Sequence, residues 1–268
     1  MPETSEKSFV QLEQICKTFA KGTSSENMLF HNFSFSAARG SFVSIVGSNG
    51  SGKTTLLNIL CGSVLPDSGH VSVGGKEIGR LSEHRRAQFI GRVFQDPAAG
   101  TCPKLTVLEN LALADNKGHS FGLHAGISKK RIDFYRTQLE LLKLGLENKL
   151  YQPVESLSGG QRQALALLIC TMAPLQLLIL DEHTAALDPK SSENVMELTE
   201  QIVREKRLTA LMVTHNLKYA LRYGGRLLMM HHGKILLDAE GEAKHALQMR
   251  DLTDRFGEIS LEDEACAV

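Results

Sequence analysis

The chain has 268 residues, 42% of them hydrophobic and 22% charged. That is the balance of a well-buried globule, large enough for one domain or for a core with a lobe inserted in it. Thirty basic side chains are cancelled by thirty acidic ones, which excludes a global field able to recruit nucleic acid or an anionic membrane.

The five cysteines (Cys16, Cys61, Cys102, Cys170, Cys266) are scattered without a CxxC pair. This argues against zinc and a disulfide framework, and for reduced thiols in a cytosol. The opening "MPETSEKSF" is polar, so no signal peptide is expected. The longest apolar stretch, Ala164 to Leu180, is broken by Pro174 and Gln176, and a bilayer helix needs about 20 mostly apolar residues in a row. A buried helix followed by a central strand accounts for it, and no membrane span is expected.

In chain order, "FVQLEQICKTF" and "LFHNFSFSA" alternate as strands around the turn "KGTSSEN". "GSFVSIVG" is a continuous apolar and β-branched run, the pattern of a strand buried on both faces. It leads through a glycine loop into the helix "GKTTLLNILCG", and "PDSGHVSVGGKEI" reads as a turn and short hairpin. From Thr106 to Leu150 the apolar spacing is helical, and it stays so through a second glycine loop, "GGQRQALALLICTMA". "LQLLIL" and "LTALMVTH" are further buried strands. Between them "PKSSENVMELTEQIVREK" reads as a helix opened by Pro189, with basic residues at its end, favourable to the helix dipole. "GRLLMMHHGKILLD" closes the series as a hairpin, with His231 and His232 as exposed turn residues; His119 and His124 lack metal spacing. After Phe256 the tail "GEISLEDEACAV" is acidic and reads as loosely held. The expected fold is α/β, a mixed core with a small β lobe and a helical lobe.

The first glycine loop, Gly47-Ser48-Asn49-Gly50-Ser51-Gly52-Lys53-Thr54, fits G-x-x-x-x-G-K-[ST] between a strand and a helix. Glycines let successive N–H groups turn inward onto phosphate oxygens, and the new helix adds its positive end. Lys53 would reach the β- and γ-phosphates, and the Thr54 hydroxyl would sit on Mg²⁺. In "LLILDEHTAALDP" a buried strand delivers two adjacent carboxylates to its C-terminal edge, where open α/β sheets bind ligands. Asp181 suits Mg²⁺ held through its water shell, and Glu182 suits the polarising of an attacking water. Taken without the loop, Asp-Glu equally caps a strand and starts a turn.

These motifs resemble the ATP-binding subunit of ABC transporters over nearly the whole chain. "GSNGSGKTT" matches the family's Walker A, "LLILDE" its Walker B, and "LSGGQ" (Leu157 to Gln161) its signature. "VFQDP" supplies Gln95, "AALDP" a D-loop ending at Asp188, and "VTH" the switch His215. Phe19 falls where the family stacks an aromatic on adenine, though it fits core packing as well; His215 by itself equally fits a helix cap.

The resemblance implies a P-loop NTPase core of ABC type and ATP with Mg²⁺ as cofactors. The loop from Gly47 to Thr55 would hold the nucleotide, and Thr54, Gln95 and Asp181 the metal. Two copies would sandwich each ATP head to tail, with Ser158, Gly159, Gly160 and Gln161 of one closing over the partner's nucleotide. It also implies separate integral membrane permease subunits, an extracytoplasmic substrate-binding protein reached through them, and a peripheral place on the cytoplasmic face of a bacterial inner membrane. No nucleic-acid partner is expected.

The expected domain is 9–256 with its helical lobe at about 97–165, between a flexible 1–8 and the tail 257–268. Most of the family has proline after the catalytic Glu and serine before "ALD", where this chain has His183 and Ala185. The "DEHTAALDP" form resembles a subgroup beside poorly characterised importers of tryptophan or tyrosine type. A soluble relative serving cluster assembly is the alternative, and a GTPase or nucleoside kinase leaves the signature unexplained.

Overall fold

Four strands buried almost throughout form the middle of the molecule, and their order decides which loops meet. The structure, a computed structural model, describes residues 8–117 and 126–266, with side-chain burial as far as Ile259. The chain runs through β1 (Ser8–Phe19), β2 (Asn27–Ala38), β3 (Phe42–Gly47), α1 (Lys53–Cys61), β4 (Ser68–Val73), β5 (Lys76–Glu77), α2 (Glu83–Arg86) and β6 (Ile90–Val93). It continues through α3 (Val107–Asp115), α4 (Ile132–Glu140), α5 (Gly159–Met172), β7 (Leu177–Asp181), α6 (Pro189–Glu205) and β8 (Thr209–Val213). It ends with α7 (Leu217–Arg222), β9 (Arg226–His231), β10 (Lys234–Glu240), α8 (Glu242–Ala246) and α9 (Met249–Cys266).

The larger sheet has the order β10-β9-β3-β8-β7-β6. Its strands are parallel from β9 to β6, and β10 is antiparallel at the edge. Parallel neighbours end on the same side, so the loops after β3, β6, β7, β8 and β9 all emerge at one edge. Along each strand the side chains alternate between two cores, as the pleat requires. Val43, Ile45, Ile179, Leu211 and Val213 face α1 and the β lobe, whereas Leu178, Leu180, Ala210 and Met212 face α5, α6 and the helical lobe. The β lobe is a separate antiparallel sheet of order β2-β1-β4-β5.

Each strand and hairpin read from the sequence is present. Strand β6 was not anticipated, because Gly91 and Arg92 interrupt its apolar run over only four residues. The tail also differs from expectation: α9 runs past Phe256 to Cys266, and Ile259 is buried with Leu252 against Val46, Leu227 and Met229. An apolar residue seven positions on from Leu252 lies on the same helix face, which is what holds this segment. The expected flexible stretch 1–8 lies outside the described residues except Ser8, which opens β1; His119 and His124 are likewise outside them.

Arg86, wholly buried, ties the β lobe to the core. Its guanidinium donates to the carbonyls of Leu81 at 2.9 Å, Ile59 at 2.5 Å, Leu60 at 3.2 Å and Gly79 at 3.0 Å. Removing it would leave buried acceptors unmet. Arg86→Met is expected to cost about 3 kcal/mol and to lower the melting temperature by about 6–12 °C for a chain of this size. Differential scanning fluorimetry reads the shift, and an unchanged midpoint would show that those carbonyls do not depend on Arg86.

Candidate functional site

The loop after β3 is built for an anion. Helix α1 begins at Gly52, whose left-handed backbone (φ 104°) supplies no side-chain cap, so the first-turn N–H groups are left facing outward. Gly47 passes so close to the Met230 carbonyl that a Cβ would collide with it. Lys53 is buried and donates to the carbonyls of Gly47 at 2.9 Å and Ser48 at 2.8 Å, and to Ser51 Oγ at 3.4 Å. Burial holds its pKa below the usual lysine range, while the Glu182 and Asp181 carboxylates oppose that shift. An uncapped helix start with a buried ammonium fits a polyphosphate. Thr54, one residue on, is exposed, and Thr55 is half-buried.

Strands β7 and β8 are neighbours, and their ends bring Glu182 and His215 into contact. Glu182 Oε1 lies 2.7 Å from His215 Nε2. Glu182 also has a left-handed backbone (φ 50°), unusual for a residue with a Cβ and a conformation that stores about 1–3 kcal/mol. Its N–H donates to the Val213 carbonyl at 2.9 Å, which fixes the bend that swings the carboxylate towards β8. Asp181, the last residue of β7, is half-buried. Gln95, exposed beyond β6, shares a cavity of about 490 Å³ with Asp181, Gly159 and Arg162.

The second glycine loop is unlike the first. Ser158 caps α5 by accepting from Gln161 N, and Gln161 returns the bond by accepting from Ser158 N. Gln161 also donates to the Leu144 carbonyl at 3.0 Å and accepts from Lys149. Its side chain thus braces its own lobe. Among the described residues no hydrogen bond or ion pair joins Ser158, Gly159 or Gly160 to Lys53, Thr54 or Asp181. A Cβ at Gly160 would press on Ser191, and one at Gly159 on Leu187. Asp188 caps α6 by accepting from Ser191 N at 3.0 Å, and that hydrogen bonding lowers its pKa. Phe19 is 37% exposed at the end of β1, outside the core, with Lys17 Nζ 5.4 Å from its ring centroid.

Three contacts at this edge escaped the sequence reading. His231 is a buried strand residue, contrary to the exposed turn expected, because β9 extends as far as it. Its Nδ1 lies 3.0 Å from Ser48 Oγ, and Gly233 N donates to the Ser51 carbonyl at 3.0 Å, so the β9–β10 turn fastens the phosphate loop. Arg92, on β6, donates to Asp181 Oδ2 at 2.5 Å. A single cation inside the apolar run "FIGRVF" was the available signal.

A family model described as ABC transporter matches residues 30–185. The chain belongs to the ABC transporter family. It is 46% identical over 247 residues to a tyrosine transport ATP-binding protein of Clostridioides difficile, covering 92% of this chain and 98% of the relative. It is 32% identical over 228 residues to the thiamine import ATP-binding protein ThiQ of Photobacterium profundum, covering 84% and 90%. Among solved structures it resembles the dimeric post-hydrolysis state of the ATP-binding cassette MJ0796 bound to ADP and Pi, with TM-score 0.72, 29% identity, and 86% and 98% coverage. It also resembles cbiO1 from Clostridium perfringens, part of the ABC transporter complex cbiONQ, with TM-score 0.75, 25% identity, and 93% and 94% coverage. The cassette has the P-loop NTPase fold of ABC type and is an ATP-hydrolysing transporter subunit. No described helix is long and apolar enough to cross a membrane.

The cassette departs from the common pattern at His183, which is 2% exposed. Its Nε2 lies 3.1 Å from Thr199 Oγ1, whose hydroxyl donates to the Val195 carbonyl at 2.7 Å. The hydroxyl proton being spent there, Nε2–H is the donor. Burial pushes the imidazole down from 6.5 to about 4. The unfolded chain then binds a proton near pH 6 that the folded one refuses. This stability is therefore full above pH 6.5 and is lost as pH falls towards 4, by up to about 3 kcal/mol. His183→Asn, which keeps a donor for Thr199, is expected to flatten that part of the stability–pH curve. Urea unfolding at pH 7, 6, 5 and 4 compares the two, and parallel curves would rule the effect out.

Proposed function

We propose that the cassette powers a bacterial importer, and that two copies of it close head to tail around two ATP molecules. The reading is carried by one observation, the Glu182–His215 contact of 2.7 Å at the sheet edge where α1 starts without a cap. Lys53 would exchange its own loop carbonyls for the β- and γ-phosphates, and the free α1 amides would take the remaining oxygens. Phe19, exposed at the rim, would stack on adenine. Thr54, Gln95 and Asp181 are the residues that would hold Mg²⁺, which when bound offsets phosphate charge. Glu182 would accept the proton of the attacking water.

His215 cannot hold Glu182 and a γ-phosphate with the same Nε2, so their contact belongs to the resting state. Its release on nucleotide binding would free the base. Ser158, Gly159, Gly160 and Gln161 would cover the partner copy's nucleotide, with Asp188 beside them. To do so Ser158 must turn from Gln161 N to a phosphate oxygen, so closure would cost a cap in exchange for a charge-assisted bond.

Separate integral membrane permeases would dock in the groove of about 500 Å³ between the core and the helical lobe, whose walls include Phe94, Leu113, Ala166 and Ile169. The subunit would then sit peripherally on the cytoplasmic face of the inner membrane, with an extracytoplasmic binding protein delivering the cargo. The relative named for tyrosine transport, 46% identical, supports an aromatic amino acid as that cargo.

Glu182→Gln is expected to lower turnover by about a hundredfold or more and to accumulate an ATP-bound dimer on size exclusion. Ser158→Phe is expected to keep ATP binding and lose the dimer. Full turnover in the first variant, or ATP-driven pairing in the second, would overturn the sandwich. Recovery of a wholly soluble complex from detergent-treated membranes would overturn the transport role.

A further inference from the structure

Arg86 is buried and Arg92 half-buried, and their guanidinium groups are satisfied differently. Arg86 donates to four carbonyls, the mark of a cation that only braces. Arg92 instead gives Nη2 to Asp181 Oδ2 at 2.5 Å and Nη1 to Asn58 Oδ1 at 2.8 Å. Its Nε is buried with no hydrogen-bond partner. The guanidinium lies 4.8 Å from the Phe94 ring centroid and, with Cys61, forms part of the wall of the groove between core and helical lobe. Its side chain and that of Asp181 are each 16% exposed, so solvent screens the pair only weakly.

We propose that Arg92 is a built-in counter-ion that occupies Asp181 in the empty cassette and competes with the divalent cation for it, so that metal loading is tied to the docking of the permease in the groove. This rests on the reading of Asp181 as a metal-holding residue. A carboxylate oxygen engaged at 2.5 Å by a guanidinium has less charge to offer a hydrated cation, and the two positive charges repel. Entry of the cation would push Arg92 away from Asp181, and Arg92 is part of the groove's wall. By linkage, an occupant that draws Arg92 towards itself would favour the cation at Asp181, and the cation would favour the occupant by the same factor. Arg92 touches no reacting atom in this scheme; it is a positioning residue.

Mn²⁺ with a non-hydrolysable ATP analogue, followed by electron paramagnetic resonance, measures the competition without turnover. Arg92→Met keeps the stem and removes the charge. It is expected to tighten Mn²⁺ about tenfold, within the range of coupled sites, while analogue binding in EDTA stays unchanged. Arg92→Lys, which keeps the charge, is expected to stay within about threefold of the wild type, a small part of that coupling range. If Arg92 merely braces β6, Arg92→Met will leave Mn²⁺ binding unchanged or weaker, and the competition is overturned.

Asp181→Asn separates the two layers of the argument. Should it bind Mn²⁺ as tightly as the wild type, the assignment of Asp181 fails before Arg92 is in question. In the membrane complex the wild type is expected to bind Mn²⁺ more tightly than the isolated subunit does, and Arg92→Met is expected to bind it equally in both forms. Equal wild-type affinities in the two forms would overturn the link to the groove.

Discussion

A buried ammonium must be hydrogen-bonded or lose its proton, and the phosphate loop is organised around that demand. Lys53 is satisfied by the carbonyls of Gly47 and Ser48, which forces the loop to curl back over the first turn of α1. The same curl aims the loop amides at the space above Lys53. Neighbouring carboxylates at Asp181 and Glu182 keep the charge in place against the cost of burial. Those carboxylates are near because β7 is two strands from β3 in a parallel sheet. The charge distribution of the site thus follows from strand order, and the turn after β9 secures it through Ser48 and Ser51.

The two glycine-rich loops look alike in sequence and are physically opposite. The first opens a helix with no side-chain cap, so its first-turn amides are left for an acceptor from outside. The second opens a helix whose start is already capped by Ser158 and Gln161. Their glycines answer different needs too. Gly52 takes a left-handed turn, whereas Gly159 and Gly160 make room for Leu187 and Ser191. An anion therefore finds the first loop ready and the second in need of a rearrangement.

Much of this was legible in the sequence. Continuous apolar runs marked β3, β7 and β8, and the motifs at their ends named the residues that the parallel sheet gathers at one edge. What stayed hidden depended on contacts between distant segments. Arg92 and Gly91 masked β6 because a four-residue strand leaves little periodicity to detect. His231 read as a turn residue because nothing local shows that β9 carries it under the phosphate loop. The acidic character of the last residues concealed the Leu252 and Ile259 face that seats α9. His183 stood out as a departure, but its neutrality follows only from its burial against α6.

The missing Cβ of Gly160, set against Ser191, has a mechanical consequence. With no side chain between them, the start of α5 and the start of α6 come close enough that a Cβ on Gly160 would press on Ser191. The serine-glycine turn and the aspartate that caps α6 would then travel as one rigid block. A tilt of the helical lobe of even a few degrees would be geared into the far side of the same subunit. Both halves of the surface offered to a neighbour would shift in step.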